Sequence, residues 1–97
     1  METKFRWDPD KATRNLRKHR ISFETAARAF ADPFALVEQD RIEGWELRWQ
    51  TVGMVGGCLL LLVAHTVEDE QGVEVIRIIS ARRAERKERR RYEKANG

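Results

Sequence analysis

Residues 45–66 read WELRWQTVGMVGGCLLLLVAHT. The first six alternate, with Trp45, Leu47 and Trp49 on one side and Glu46, Arg48 and Gln50 on the other. That is the period-two pattern of a strand with one buried and one wet face. Gly56-Gly57 marks a hairpin. Residues 58–66 are then apolar on both faces, as suits a central strand. A polar turn from Glu68 to Gly72 leads to another strand over 73–80, and residues 34–40 supply one before the alternating stretch. Four successive strands with short connections imply an antiparallel sheet.

Helical signals flank this block. Residues 4–7 form a short strand ending at Asp8-Pro9, where Asp8 caps and Pro9 opens a helix to about His19. Ala12, Asn15, Leu16 and His19 share one face of it, with Lys11, Arg14, Arg17 and Lys18 opposite. Ser22 caps a second helix whose apolar stripe is Phe23, Ala26, Ala27 and Phe30, and Asp32-Pro33 stops it. At the other end, residues 77–92 read RIISARRAERKERRRY. Ser80 is read as the cap of a basic C-terminal helix with Ala81, Ala84 and Tyr92 as its few non-polar residues. Such a helix is solvated or docks on something outside the domain. The order β-α-α-β-β-β-β-α gives an α+β fold in one domain, 1–97: a small antiparallel β-sheet with helices packed on one face.

Charge narrows the function. The net charge is only +3, yet residues 82–94 hold eight Lys and Arg against three Glu. Cations concentrated at the edge of a small fold point to nucleic acid or an acidic partner. One cysteine, Cys58, excludes an internal disulfide, fits a reducing cytosol and reads as a buried small hydrophobe. The start METKFRWDPD lacks the pattern of a signal peptide, and the longest apolar run is too short to cross a bilayer. A cytoplasmic protein without membrane contact is expected. No Cys/His cluster has metal-ligand spacing, so neither metal nor cofactor is expected.

An ordered set of fragments is more specific. Phe5-Arg6-Trp7-Asp8-Pro9, Lys11-Ala12, Asn15 and Lys18-His19 open the chain. Ser22-Phe23-Glu24 and Phe30-Ala31-Asp32-Pro33 follow, then Glu46-Leu47-Arg48 and Val52-Gly53. Ile76-Arg77-Ile78-Ile79-Ser80-Ala81-Arg82 and Glu88-Arg89-Arg90-Arg91-Tyr92 close it. The chain resembles the BrnT family of bacterial toxins over nearly its whole length. The resemblance implies a RelE-like fold and a ribonuclease of a type II toxin–antitoxin module. It also implies a BrnA-like, DNA-binding antitoxin, with a 2:2 complex on operator DNA. Two positions depart from the pattern: Arg20 stands where the family commonly has Gly, and Glu68 where it often has Arg.

Metal-free RNA cleavage needs a base for the ribose 2′-OH, cations for the pentacoordinate phosphate and a proton for the departing 5′-oxygen. Arginine suits the second task because its planar fork grips two phosphate oxygens and stays charged. Arg48, Arg77 and Arg82 are the candidates, with Arg82 read into the first turn of the last helix. A salt bridge from Arg77 to Glu46 or another carboxylate is the competing explanation. His19 and His65 are the candidates for proton transfer, since imidazole titrates near neutrality, and Glu46 is a possible base if both are structural. Lys18, Arg83 and Tyr92 are candidate RNA contacts, with packing of the last helix onto the sheet as the competing reading of Tyr92. Trp7, Trp45 and Trp49 read as core; base stacking would need one of them on the open face of the sheet. The alternatives are a basic module that binds nucleic acid without cutting it, and a degenerate toxin that survives as a protein-interaction partner.

Overall fold

The apolar stretches become the middle of a five-stranded sheet, described by a computed structural model over residues 2–97. The elements are β1 (Thr3–Arg6), α1 (Pro9–His19), α2 (Phe23–Arg28), a 3-10 turn (Ala29–Ala31), β2 (Leu36–Glu43), β3 (Glu46–Val55), β4 (Leu59–Glu70), β5 (Val73–Arg83) and α3 (Arg86–Asn96). The strand order is β1-β5-β4-β3-β2. β2 to β5 form the expected antiparallel meander, whereas β1 joins β5 in parallel, so the sheet is mixed.

Each face of the sheet has its own core. On one side Phe23, Ala26 and Ala29 pack against Leu61, Val63, Ile76, Ile78 and Ala81. Phe23 is fully buried, which stabilises by roughly 1.5–3 kcal/mol relative to an exposed ring. Gly53 lets β3 pass close beneath the 3-10 turn: a Cβ there would lie 2.3 Å from the Ala29 carbonyl oxygen. On the other side Val52, Leu60 and Leu62 pack with Tyr92 of α3. The last helix therefore docks on its own sheet rather than standing in solvent. One aromatic ring suffices because polar anchors assist it: the Tyr92 hydroxyl donates to Asp32 (2.7 Å) and Arg91 makes two hydrogen bonds to Glu38 (3.0 Å each).

α1 also completes the sheet edge. β1 pairs with β5 only as far as Arg77. Beyond it the buried Asn15 takes the place of a strand: its amide donates to the carbonyls of Ala81 (2.9 Å) and Ile21 (3.0 Å), and its oxygen accepts from the Ala81 N–H (3.0 Å). Arg20 ends α1 in the left-handed region (φ +62) with its N–H on the Leu16 carbonyl. This is the conformation glycine adopts without a Cβ penalty.

Several boundaries and burials differ from expectation. β5 runs on to Arg83 because Ala81, Arg82 and Arg83 pair with the apolar run Val63, Leu62 and Leu61. Ser80 is thus a strand residue, and Glu85 caps α3. Cys58 is exposed, because the Gly56-Gly57 turn extends to it. Trp45 is not core either. It sits with Gly44 in the β2–β3 turn, both at positive φ (+70 and +55), and its side chain is fully exposed. A bulky residue in that conformation costs about 1–2 kcal/mol.

Candidate active site

The side-chain alternation of β3 decides which groups share the open face. Thr51 and its neighbour His65 lie under the helices, with the His65 ring packed edge-on against Phe30. Gln50, Arg48 and Glu46 therefore point to the opposite face, the one that α3 covers only in part. Arg77 is on that face as well, opposite Thr66 across the β4–β5 ladder.

There the side chains converge. Arg77 Nη2 donates to Glu46 Oε2 at 2.5 Å, and Arg48 Nη2 lies 3.7 Å from Glu46 Oε1. One carboxylate thus faces two guanidinium groups. Arg77 and Glu46 are each about two-fifths exposed and within reach of a ligand, while Arg48 is only 19% exposed. Two buried polar atoms in the same region have no hydrogen-bond partner: Arg48 Nε and Thr66 Oγ1. Leaving such groups unpaired is unfavourable, and both lie beneath the surface beside the cluster rather than open to solvent.

Arg82 is on the same face but farther along. It pairs with Leu62 where Arg77 pairs with Thr66, an offset of about 13 Å at roughly 3.3 Å per residue. Its guanidinium joins the strand to the start of α3, contacting Glu88 (2.9 Å), Glu85 (3.5 Å) and the Arg83 carbonyl (3.1 Å). Glu88 is buried and also accepts from the Glu85 N–H at 2.7 Å. The Arg82 hydrogen bond is the main reason its carboxyl is held below the usual range, against the opposing effect of burial.

A profile of the family described as "Ribonuclease toxin, BrnT, of type II toxin-antitoxin system" matches residues 7–88, a span that includes this whole cluster. The chain belongs to the BrnT family. Its fold is similar to that in the crystal structure of the Brucella abortus ribonuclease toxin BrnT, with a TM-score of 0.66 at 19% identity, covering 89% of this chain and all of that one. No curated protein matches the sequence. Membership in the BrnT family makes the chain the ribonuclease toxin of a type II toxin–antitoxin system.

The other candidate residues lie away from the arginine cluster of this BrnT fold. His65 is 1% exposed and on the helix-covered face. Its Nδ1–H donates to the Thr66 carbonyl (3.3 Å) and its Nε2 accepts from the Thr51 hydroxyl (2.8 Å). Burial lowers its pKa from the ordinary 6.5, against smaller opposing effects of the Thr66 carbonyl and Glu74. It is a core histidine, closed off from the open face of the sheet. His19 and Lys18 line a separate cleft of about 370 Å³ with Lys11, Arg14 and Ser80, where α1 meets β5. Tyr92 is buried, and its hydroxyl is committed to Asp32. That bond, with burial second, pushes its pKa up to about 12. Arg83 is exposed and by alternation points to the side opposite Arg82. Thr66, which adjoins the cluster, was not singled out from the sequence, because a threonine ending an apolar strand carries no signal until its unpaired hydroxyl is seen.

Proposed function

We propose that this chain cleaves RNA by attack of the ribose 2′-OH on the neighbouring phosphate, at the Glu46–Arg48–Arg77 cluster and without a metal ion. The supporting observation is the convergence of two arginines on one carboxylate beside two unpartnered polar atoms, on the face that α3 leaves open. The scissile phosphate takes the place of Glu46 on the Arg77 and Arg48 forks. Freed from them, the Glu46 carboxylate accepts the 2′-OH proton as the 2′-oxygen bonds to phosphorus. The arginines stabilise the charge of the pentacoordinate phosphate. The bond to the 5′-oxygen breaks, and that oxygen takes a proton from solvent on the open face. The products are a 2′,3′-cyclic phosphate and a 5′-hydroxyl. Arg82 contacts the RNA backbone farther along the strand, and the unpaired cations Lys11, Arg14 and Lys18 attract RNA in a salt-dependent way.

The partner in this reading is a BrnA-like antitoxin with a DNA-binding segment, in a 2:2 complex in the cytoplasm. The exposed cations of α3 suit an acidic segment of it. The test is end-group analysis of RNA incubated with the purified protein in EDTA. Cyclic phosphate and 5′-hydroxyl ends, lost in Glu46→Gln, are expected. RNA bound but left intact favours the non-cleaving module instead.

A further inference from the structure

The β3–β4 ladder ends at Trp49 and His65. Pairing of β2 with β3 continues to Glu43–Glu46, and pairing of β4 with β5 to Glu70–Val73. Two hairpins therefore extend past the shared part of the sheet and leave a groove between them. The groove has a volume of about 410 Å³, within the range of small-ligand sites. Trp45, Leu47, Trp49 and Val67 supply its apolar lining, and Glu46 and Glu68 its carboxylates. Glu46 and Thr66 belong both to the groove and to the arginine cluster, so a molecule in one abuts the other.

Trp45 needs a reason to be there. It is fully exposed and covers nothing in the fold, yet it holds a positive-φ turn position that glycine fills without strain. A large flat ring in that setting is placed for a ligand. An aromatic groove beside a phosphate-binding cluster suits a nucleobase, which stacks on tryptophan while its phosphate reaches the arginines. The polar lining selects among bases. Glu46 is held by two arginines at rest and is turned to the ribose 2′-OH once phosphate takes them, whereas Glu68 has no hydrogen-bond or ion-pair partner among the described residues. An ionised carboxylate only accepts hydrogen bonds. Of the four RNA bases, guanine alone offers two adjacent donors, N1–H and N2–H, on its Watson–Crick edge. We infer that the groove is a guanine subsite, with the base stacked on Trp45 and its edge on Glu68. This rests on the reading of the open face as an RNA-cleaving site and adds a base preference to it.

The test uses the full-length protein, ¹⁵N-labelled, titrated with each of the four nucleoside 3′-monophosphates. The indole N–H signals of Trp45 and Trp49 are expected to shift and that of Trp7 to stay. Guanosine 3′-monophosphate binds about tenfold more tightly than the other three. Glu68→Gln, an exposed substitution, removes that preference. Trp45→Gly, which also relieves the turn, weakens all four about tenfold. Equal binding of the four by the unmodified protein, or a guanine preference that survives Glu68→Gln, overturns the inference. So does an unmoved Trp45 signal, which would assign that ring to a protein partner. RNA cleavage is scored separately: cutting without guanine preference sinks the subsite alone, and guanine preference without cutting sinks the cleavage mechanism alone.

Discussion

Tyr92 is the sole tyrosine of the chain, so its ionisation can be followed without interference from another phenol. Its hydroxyl donates to Asp32 Oδ2, which also accepts from the Met54 N–H (2.8 Å), while Oδ1 accepts from the Phe34 N–H (2.9 Å). Burial alone would raise the Asp32 pKa, but these three donors outweigh it and hold the carboxyl below its ordinary 3.8. A tyrosinate here would lose its hydrogen bond and face that carboxylate, which is why the phenol pKa stands at about 12 against an ordinary 10.0. Two pKa units correspond to about 2.7 kcal/mol. The folded pKa is the higher one. The stabilisation is therefore fully present below pH 10 and is lost as pH rises from there through 12. In a domain of this size the loss lowers the melting temperature by roughly 10–20 °C. Tyr92→Phe removes a hydrogen bond to a charged acceptor at neutral pH, at about 1.5–3 kcal/mol, and so flattens the alkaline decline relative to the parent protein. The assay is tyrosinate absorbance of folded and urea-unfolded protein against pH, with melting curves of both proteins alongside. A folded-state midpoint near 10, or the same alkaline decline in Tyr92→Phe, would refute the proposed lock between α3 and Asp32.

Other expectations follow from named contacts. Arg77→Ala lowers RNA cleavage by roughly 10²–10³-fold while changing stability by no more than about 1 kcal/mol, since its ion pair is part-exposed; parallel cleavage assays and urea titrations read both. A fall in activity that merely tracks unfolding would argue against an electrostatic role. His65 is neutral in its buried site, so its contribution to stability is present above pH 6.5 and lost as pH falls from there through the lower folded value. In urea titrations His65→Gln should weaken the acid dependence in that window. Asn15→Ala leaves the Ala81 N–H and the Ala81 and Ile21 carbonyls without the side chain that serves them. A loss of about 2–4 kcal/mol is expected in equilibrium unfolding, and a loss under 1 kcal/mol would mean that water replaces the amide.

Strand identity was legible where periodicity was strong. The alternation from Glu46 to Gln50 and the apolar run after Cys58 gave β3 and β4, and the helix caps Asp8 and Ser22 act as read. Partner choice was not legible. A four-residue strand such as β1 can be added to either sheet edge, and its parallel pairing with β5 follows from the path of α1. The end of β5 was misplaced because Ser80 is a plausible cap in isolation, whereas the pairing of Arg82 with Leu62 is long-range. Trp45 fitted the alternating pattern and still fell in the turn, since hairpin register depends on which two residues carry positive φ. At the site, the Arg77–Glu46 pair was visible as a possibility and Arg48 as a wet-face cation. Sequence did not show that one carboxylate joins them. The histidines drew attention through their titration range alone, which says nothing about the face on which a ring lies.

The most direct measurement is RNA cleavage in EDTA by Arg48→Ala/Arg77→Ala, with circular dichroism to establish that the variant is folded. A folded protein that no longer cuts RNA is expected. A folded double variant that cuts at the parent rate would place the chemistry away from the open face.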